Sequence, residues 1–246
     1  MEKIDLQKIK FLMFLDTETI GTLTNKNSVM PFDISIKIYD TETKKVVKEK
    51  CYLTRKFFNN KYVMLSTFSA SKYPTYIEKV NTDKKYKVCS VKDIMEHISK
   101  LIYRYNIKIM VAHNGNFDKT AIARLCEEFG VENPFDYINL LDTMEISKII
   151  TYSKDYVNFC IDNKDKVNSI KESCFITNSG RVRTTAQAIY CYITQNPDFQ
   201  EEHTGLEDID IEIEIFKKSM EMLGNTIVNL NTNPSWRDFP IVIEED

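Results

Sequence analysis

Phe11-Leu12-Met13-Phe14-Leu15-Asp16-Thr17-Glu18-Thr19 is the stretch on which the reading of this chain turns. Five apolar residues followed by a polar stretch have the length of a short core strand buried on both faces. Residues i and i+2 of a strand project to the same face, so Asp16 and Glu18 aim two carboxylates at one point where the strand leaves the core. Like charges drawn out of water are costly unless a counter-charge meets them, and a divalent cation supplies one. The same four letters recur at Asp40-Thr41-Glu42-Thr43, so the motif means little without its surroundings. The second copy falls between Asp33–Tyr39, where apolar and polar residues alternate, and Val46–Leu53, another strand candidate. That predicts a hairpin connection over Asp40 to Lys45, with its carboxylates facing water.

The 246 residues, 43% hydrophobic and 28% charged, suit a soluble globular protein with a sizeable core. A net charge of −3 argues against a protein that coats long nucleic acid through phosphate contacts. It leaves room for one that grips a few nucleotides at a metal centre, since bound cations change the local field. The basic clusters Lys44-Lys45, Lys48 to Lys50, Arg55-Lys56 and Lys84-Lys85 read as solvated faces. No apolar run is long enough for a membrane span, and Met1-Glu2-Lys3-Ile4-Asp5 lacks the build of a secretory signal. Six scattered cysteines without a close pair predict free thiols in a reducing compartment, which makes a cytoplasmic location the expectation. The bias toward Lys, Asn and Ile fits an AT-rich genome, such as that of a bacteriophage or low-GC bacterium.

Further along, Phe57 to Tyr86 reads as irregular. Ser90 is placed as an N-cap with Asp93 in the first turn, and Ile94, Ile98, Leu101, Ile102 and Tyr105 follow at helical spacing. Ile107 to Ala112 predicts a core strand, residues 117–129 a helix stopped by Gly130, and Leu140-Leu141-Asp142-Thr143 a last core strand. Tyr152 to Arg183 resists assignment, apart from a small hairpin around Asn178-Ser179-Gly180, and a helix over about 185–194 follows. Ile209-Asp210-Ile211-Glu212-Ile213-Glu214-Ile215 alternates like a strand, yet a helix fits better. Thr204 and Glu207 have capping-box spacing, Leu206, Ile209, Ile213, Phe216, Met220 and Leu223 are spaced by threes and fours, and Gly224 ends the run. Strands first, then strands alternating with helices, point to an α/β fold: a mixed sheet flanked by helices. Without repeats or a Gly/Ser linker, one domain with insertions is expected over residues 8–224, followed by a carboxyl-terminal arm, 225–246, with Trp236 and Glu244-Glu245-Asp246.

Two more segments have the residues for chemistry. His113-Asn114-Gly115-Asn116-Phe117-Asp118 lies where a core strand gives way to a helix, the place where open α/β sheets bind ligands. Asp118 could equally be a helix-start acid and Asn116 a cap. In His203-Thr204-Gly205-Leu206-Glu207-Asp208 the helix starts between the two polar ends, so His203 in the loop and Asp208 on the helix can converge. His97 and His113 read as structural.

In this order and context, the three motifs resemble those of the DEDDh family of 3′→5′ exonucleases. The resemblance covers about residues 10–223 and also takes in Leu141-Asp142-Thr143, whose Asp the family does not use as a ligand. It implies an RNase H-like fold in which Asp16, Glu18, Asp118 and Asp208 hold two Mg²⁺ or Mn²⁺ ions and His203 is the general base. Thr17, Thr19, Asn114, Asn116 and Phe117 are then expected to meet substrate. Tyr73, Tyr76 and Phe117 are candidates to stack on terminal bases, with plain packing the alternative for the two tyrosines. The implied activity is release of nucleoside monophosphates from DNA, on single strands or 3′ ends. The partner expected is a single-stranded DNA or RNA 3′ end, with no membrane, and a polymerase or replication protein as a further partner. The alternatives are a ribonuclease acting on short RNA or RNA 3′ ends, and a non-catalytic module binding nucleic acid or a partner. Residues 57–88 and 152–183 are longer or more irregular than a compact member needs, so they are where substrate choice is expected to be made.

Overall fold

The computed structural model describes residues 3–20, 29–65, 68–167, 172–201, 203–224 and 226–235. The Thr22 to Ser28 loop, Trp236 and the acidic terminus lie outside them. In chain order the elements are β1 (Lys3–Asp5), β2 (Phe11–Ile20), β3 (Met30–Asp40), β4 (Lys45–Thr54), α1 (Arg55–Phe58), α2 (Lys61–Leu65), α3 (Tyr73–Thr82), β5 (Tyr86–Cys89) and α4 (Val91–Tyr105). They continue as β6 (Ile109–Ala112), α5 (Asn116–Phe129), β7 (Asn139–Asp142), α6 (Thr143–Ile146), α7 (Lys148–Thr151), α8 (Lys154–Asp162), α9 (Ala186–Thr194), α10 (Gly205–Leu223) and β8 (Ile227–Asn229).

Six strands form one mixed sheet in the order β5-β4-β3-β2-β6-β7. The β2, β3 and β4 strands form an antiparallel meander, while β6 and β7 run parallel to β2, and β5 parallel to β4. This is the mixed α/β arrangement expected from the sequence. Met13 and Leu15 of β2 pack with Ile34, Ile36 and Ile38 against α3, α4 and α5. Leu12 and Phe14, on the opposite face, pack against Ile209, Ile213 and Phe216 of α10. A strand covered on both sides needs apolar residues at successive positions, which is why β2 reads as an unbroken run. The β3 strand departs from expectation. Its alternation predicts a half-solvated strand, yet α10 covers the polar face, and Asp33, Ser35 and Lys37 are buried there. Their polar groups are met: Lys37 Nζ reaches Asp210 Oδ1 at 2.5 Å, and Ser35 donates to Asp33 at 2.7 Å.

The helix over 205–223 forms as predicted, and Gly224 ends it in the left-handed conformation with φ of 62°. The capping box does not form as drawn: the Thr204 hydroxyl donates to the Glu207 carboxylate and accepts no backbone N–H, and Glu207 pairs with Lys79 of α3. The alternating isoleucines gain a second use, since Ile211 and Ile215 pack into a third core with α8, α9 and Phe175. That core is built from the stretch that resisted assignment, so residues 154–162 are helix rather than irregular. Residues 57–86 likewise contain short helices and the start of β5. The predicted hairpin is present, with Ile176 bridging Val182. The turn after β3 is also as expected, although Asp40 is buried rather than water-facing and accepts from the backbone N–H groups of Glu42 and Thr43. Beyond residue 224, β8 pairs with β1, while Asn231 exchanges hydrogen bonds with Leu140. All six cysteines are free thiols. Among the described residues no helix is long and apolar enough to cross a membrane.

Candidate metal centre

The two carboxylates of Asp16-Thr17-Glu18 stay on the strand, because β2 continues to Ile20. They share the face covered by α10, and Asp208 enters that face from the first turn of α10. One carboxylate oxygen from each of Asp16, Glu18 and Asp208 lies within 4.8 Å of the other two. This close approach depends on Gly205. A Cβ there would stand 2.7 Å from both Cβ and Oγ of Ser35 and 3.2 Å from Asp16 Oδ2. Only a residue without a side chain lets α10 start against β3 at that distance. Gly205→Ala is therefore expected to destabilise the protein by about 1–3 kcal/mol through overpacking. That corresponds to a Tm lower by about 2–12 °C. Helix propensity alone predicts the opposite sign, so an unchanged or raised Tm would show that the contact does not decide the site.

Asp118 stands back from the three. It lies in the first turn of α5, buried, and accepts a 2.7 Å hydrogen bond from the Thr17 hydroxyl. Thr17 points to the opposite face from Asp16 and Glu18, and so holds Asp118 beneath the cluster. The turn before α5 hangs on Asp142, which accepts from the backbone N–H groups of Asn114, Gly115 and Met144 at 2.9–3.0 Å. Its donors are all backbone, which suits a positioning role rather than ligation. His113 is fixed as well, with Nε2 at 2.7 Å from the Thr184 carbonyl and Nδ1 at 2.9 Å from the Thr143 hydroxyl. A carbonyl only accepts, so Nε2 carries the proton, and burial pushes the pKa of the ring down to about 4.

Burial raises every acid of the group, and the neighbouring carboxylates add to it. Asp16 rises well above the usual range, Glu18 to about 9 and Asp208 to about 8. Asp118 rises to about 7, with burial opposed by the Thr17 hydrogen bond. Glu18 also sits directly across the strand pair from Asp33, a like-charge placement that costs stability. Three buried oxygens, Asp16 Oδ2, Asp208 Oδ1 and Glu212 Oε2, lack a hydrogen-bond partner among the described residues. Orphaned, all-oxygen, carboxylate donors are what a hard divalent cation such as Mg²⁺ or Mn²⁺ requires, so these residues fit such ions.

The acids open onto a cavity of about 960 Å³. Asp16, Glu18, Asp208, His203 and Asn114 line it. Thr17 and Asp118 lie behind the wall. Asn116 is turned to the carboxyl-terminal segment, donating to the Thr232 carbonyl at 3.0 Å and to Asn233. Phe117 is exposed and, like Thr19, is absent from the cavity lining. Tyr76 is fully buried with its hydroxyl 2.6 Å from Asp33 Oδ2, so it packs rather than stacks on bases. Tyr73 packs edge-on against Phe58. His203 adopts φ of 52° just ahead of α10, with Nδ1 3.6 Å from Glu201. Burial, then Lys72, lowers its pKa below the ordinary 6.5.

No family model and no curated protein matches the sequence. Solved structures do match. The nuclease domain of 3′hExo, described as a DEDDh family member bound to rAMP, aligns with a TM-score of 0.58 over 92% of this chain and 98% of its own at 13% identity. A 3′-exonuclease recognising the 3′ end of a histone mRNA stem-loop aligns at 0.58, covering 96% and 71% at 14% identity. E. coli ExoI, in a zinc-bound complex with single-stranded DNA, aligns at 0.50, covering 87% of this chain and 41% of its own at 13% identity. This chain has the DEDDh exonuclease fold.

Two cavity acids lie outside the three motifs. Glu201 is raised to about 7 by burial, and Glu212 is raised well above the usual range by burial and by Asp118. Glu212 had a signal in the sequence, since it lies one helical turn after Asp208 and shares its face. Glu201 had none, because its loop position follows only from the packing of α9. A separate concavity gathers Lys48, Lys50, Lys87, Lys100 and Arg104 around Tyr52 and His97. The lysines of Lys48 to Lys50, read from sequence as part of a solvated face, thus share one basic surface with residues distant in the chain.

Proposed function

We propose that the chain is a metal-dependent 3′→5′ exonuclease that releases nucleoside monophosphates from single-stranded DNA 3′ ends. The charge of the cavity carries this reading. Asp16, Glu18, Glu201, Asp208 and Glu212 line it, and the lining's one Lys or Arg among the described residues is Arg183, itself paired with Glu172 at 2.9 Å. Such a wall offers a phosphodiester no free cation among the described residues, and once ionised it would repel one unless cations occupied it. Divalent ions held there would neutralise the phosphate, lower the pKa of a water molecule and stabilise the leaving 3′ oxygen. Asp16, Glu18 and Asp208 provide the oxygens, with Asp118 behind them, and Thr17 keeps Asp118 oriented. His203 takes the proton from the attacking water, and its lowered pKa leaves the lone pair available at neutral pH. The volume is of small-ligand scale and suits a terminal nucleotide better than a continuous duplex.

His203→Ala is expected to lower kcat by about 10²–10⁴-fold, with Mn²⁺ binding intact. Because the base must be neutral, the rate should rise with pH through a pKa below 6.5 and then level off. Unchanged turnover at pH 7 would remove His203 from this role. The reading as a whole is tested by following end-labelled single-stranded DNA, duplex DNA, RNA and dinucleotides with Mg²⁺ and with chelator. Monophosphates released stepwise from the 3′ end of DNA are expected. Internal cuts, or activity retained in chelator, would overturn it, and activity confined to the RNA substrates would reassign the substrate through the 2′-hydroxyl.

A further inference from the structure

Glu212 lies on α10 one turn beyond Asp208 and is 3% exposed. Its Oε1 accepts the backbone N–H of His113 at 3.1 Å, which ties the turn before α5 to α10. That contact needs one acceptor oxygen and no charge. The second oxygen, Oε2, is buried and has no hydrogen-bond partner among the described residues, although the side chain borders the cavity. An unmet carboxylate oxygen in such a place is expensive, and its charge adds to an already acidic group. The acids that act on Glu212 most strongly are Asp118 and then Asp208, and Glu212 in turn acts on Asp16. A neutral side chain would serve as the anchor with none of this cost, so the anchor alone does not account for an acid here.

We propose that Glu212 is a fifth carboxylate of the metal centre, giving Oε2 to the divalent cations held there. The proposal rests on the nuclease reading of the site. It assigns Glu212 two jobs divided between its oxygens: Oε1 holds the motif turn at His113, and Oε2 faces the ion. The added negative charge makes the centre bind its cations more tightly than four acids would.

The test is Mn²⁺ titration of the full-length protein by calorimetry, with electron paramagnetic resonance to count bound ions. Glu212→Gln keeps an acceptor for the His113 N–H and removes the charge. It is expected to weaken Mn²⁺ binding by about 10–100-fold, while the metal-free variant melts at or above the wild-type temperature because the fold no longer has to keep a buried acid protonated. Affinity and stoichiometry equal to wild type would overturn the proposal. So would a lower metal-free Tm with unchanged affinity, which would make Glu212 only an anchor. Should Glu212→Gln fail to fold, Glu212→Asp keeps the charge and draws the oxygen back by one methylene. A several-fold loss of Mn²⁺ affinity is then expected, and none would overturn the assignment. Wild-type protein that bound no Mn²⁺ would instead sink the nuclease reading itself, a result distinct from a wild type that binds and a Glu212→Gln that binds equally well.

Discussion

Asp16→Asn should leave the protein folded and all but eliminate metal-dependent release of nucleoside monophosphates, with kcat down by about 10³-fold or more. Asp16 is the acid through which the parts of the site are linked. Its carboxylate belongs to the close trio with Glu18 and Asp208, and it also feels Asp118 and Glu212. Removing its charge therefore weakens every arrangement of cations the group can hold. The effect on the metal-free fold has the opposite sign, because burial and four neighbouring carboxylates all disfavour the ionised form. The metal-free variant is thus expected to melt at or above the wild-type temperature while Mn²⁺ no longer stabilises it. Kinetics on a 3′-labelled strand, paired with melting curves, check both halves. Wild-type turnover in the variant would remove Asp16 from the centre.

The second large effect is the coupling of metal, pH and stability. In an unfolded chain these acids titrate near about 4. In the folded, metal-free protein Asp118 is raised to about 7, Asp208 to about 8 and Glu18 to about 9. A folded pKa above the unfolded one means that folding favours the protonated acid. That stability is complete below the unfolded value and is lost as pH rises through the folded values. Protein in chelator is therefore expected to show a falling Tm from about pH 4 to about pH 9. Mg²⁺ or Mn²⁺ binds the ionised acids, so its stabilisation should grow across the same range. At one hundred times Kd it amounts to about 2.7 kcal/mol, or about 5–11 °C in Tm. Melting in chelator and in excess Mn²⁺ at several pH values checks this. A flat Tm in chelator would show that burial, and with it the neighbouring carboxylates, does not hold these acids protonated.

Much of this was legible in the chain. The unbroken apolar run of β2 announced a strand covered on both sides, because only such a strand needs apolar residues at successive positions. The spacing of Leu206 to Leu223 gave a helix in spite of the alternating isoleucines, and Gly224 marked its end. Residues 154–162 and 61–82 gave weaker signals. Their helices are short and draw stability from aromatic packing, such as Tyr156 and Phe159 on Tyr192, which local propensity does not encode. The Thr204–Glu207 spacing promised a cap, but Lys79, far away in sequence, drew Glu207 into an ion pair instead.

The sequence by itself determined the element types around the site and the order of three acid-bearing motifs, since both follow from local periodicity and from residue chemistry. It also separated the Asp16 pair from its twin in the hairpin, because one follows a buried strand and the other lies in a turn. Only the tertiary structure decided which carboxylates meet. Asp16, Glu18 and Asp208 converge because Gly205 lets α10 close on β3, and Asp118 is held beneath them by Thr17. Glu212 joins them through its place on α10. Each of these is a long-range arrangement set by packing, and burial then holds all five acids above the usual carboxylate range.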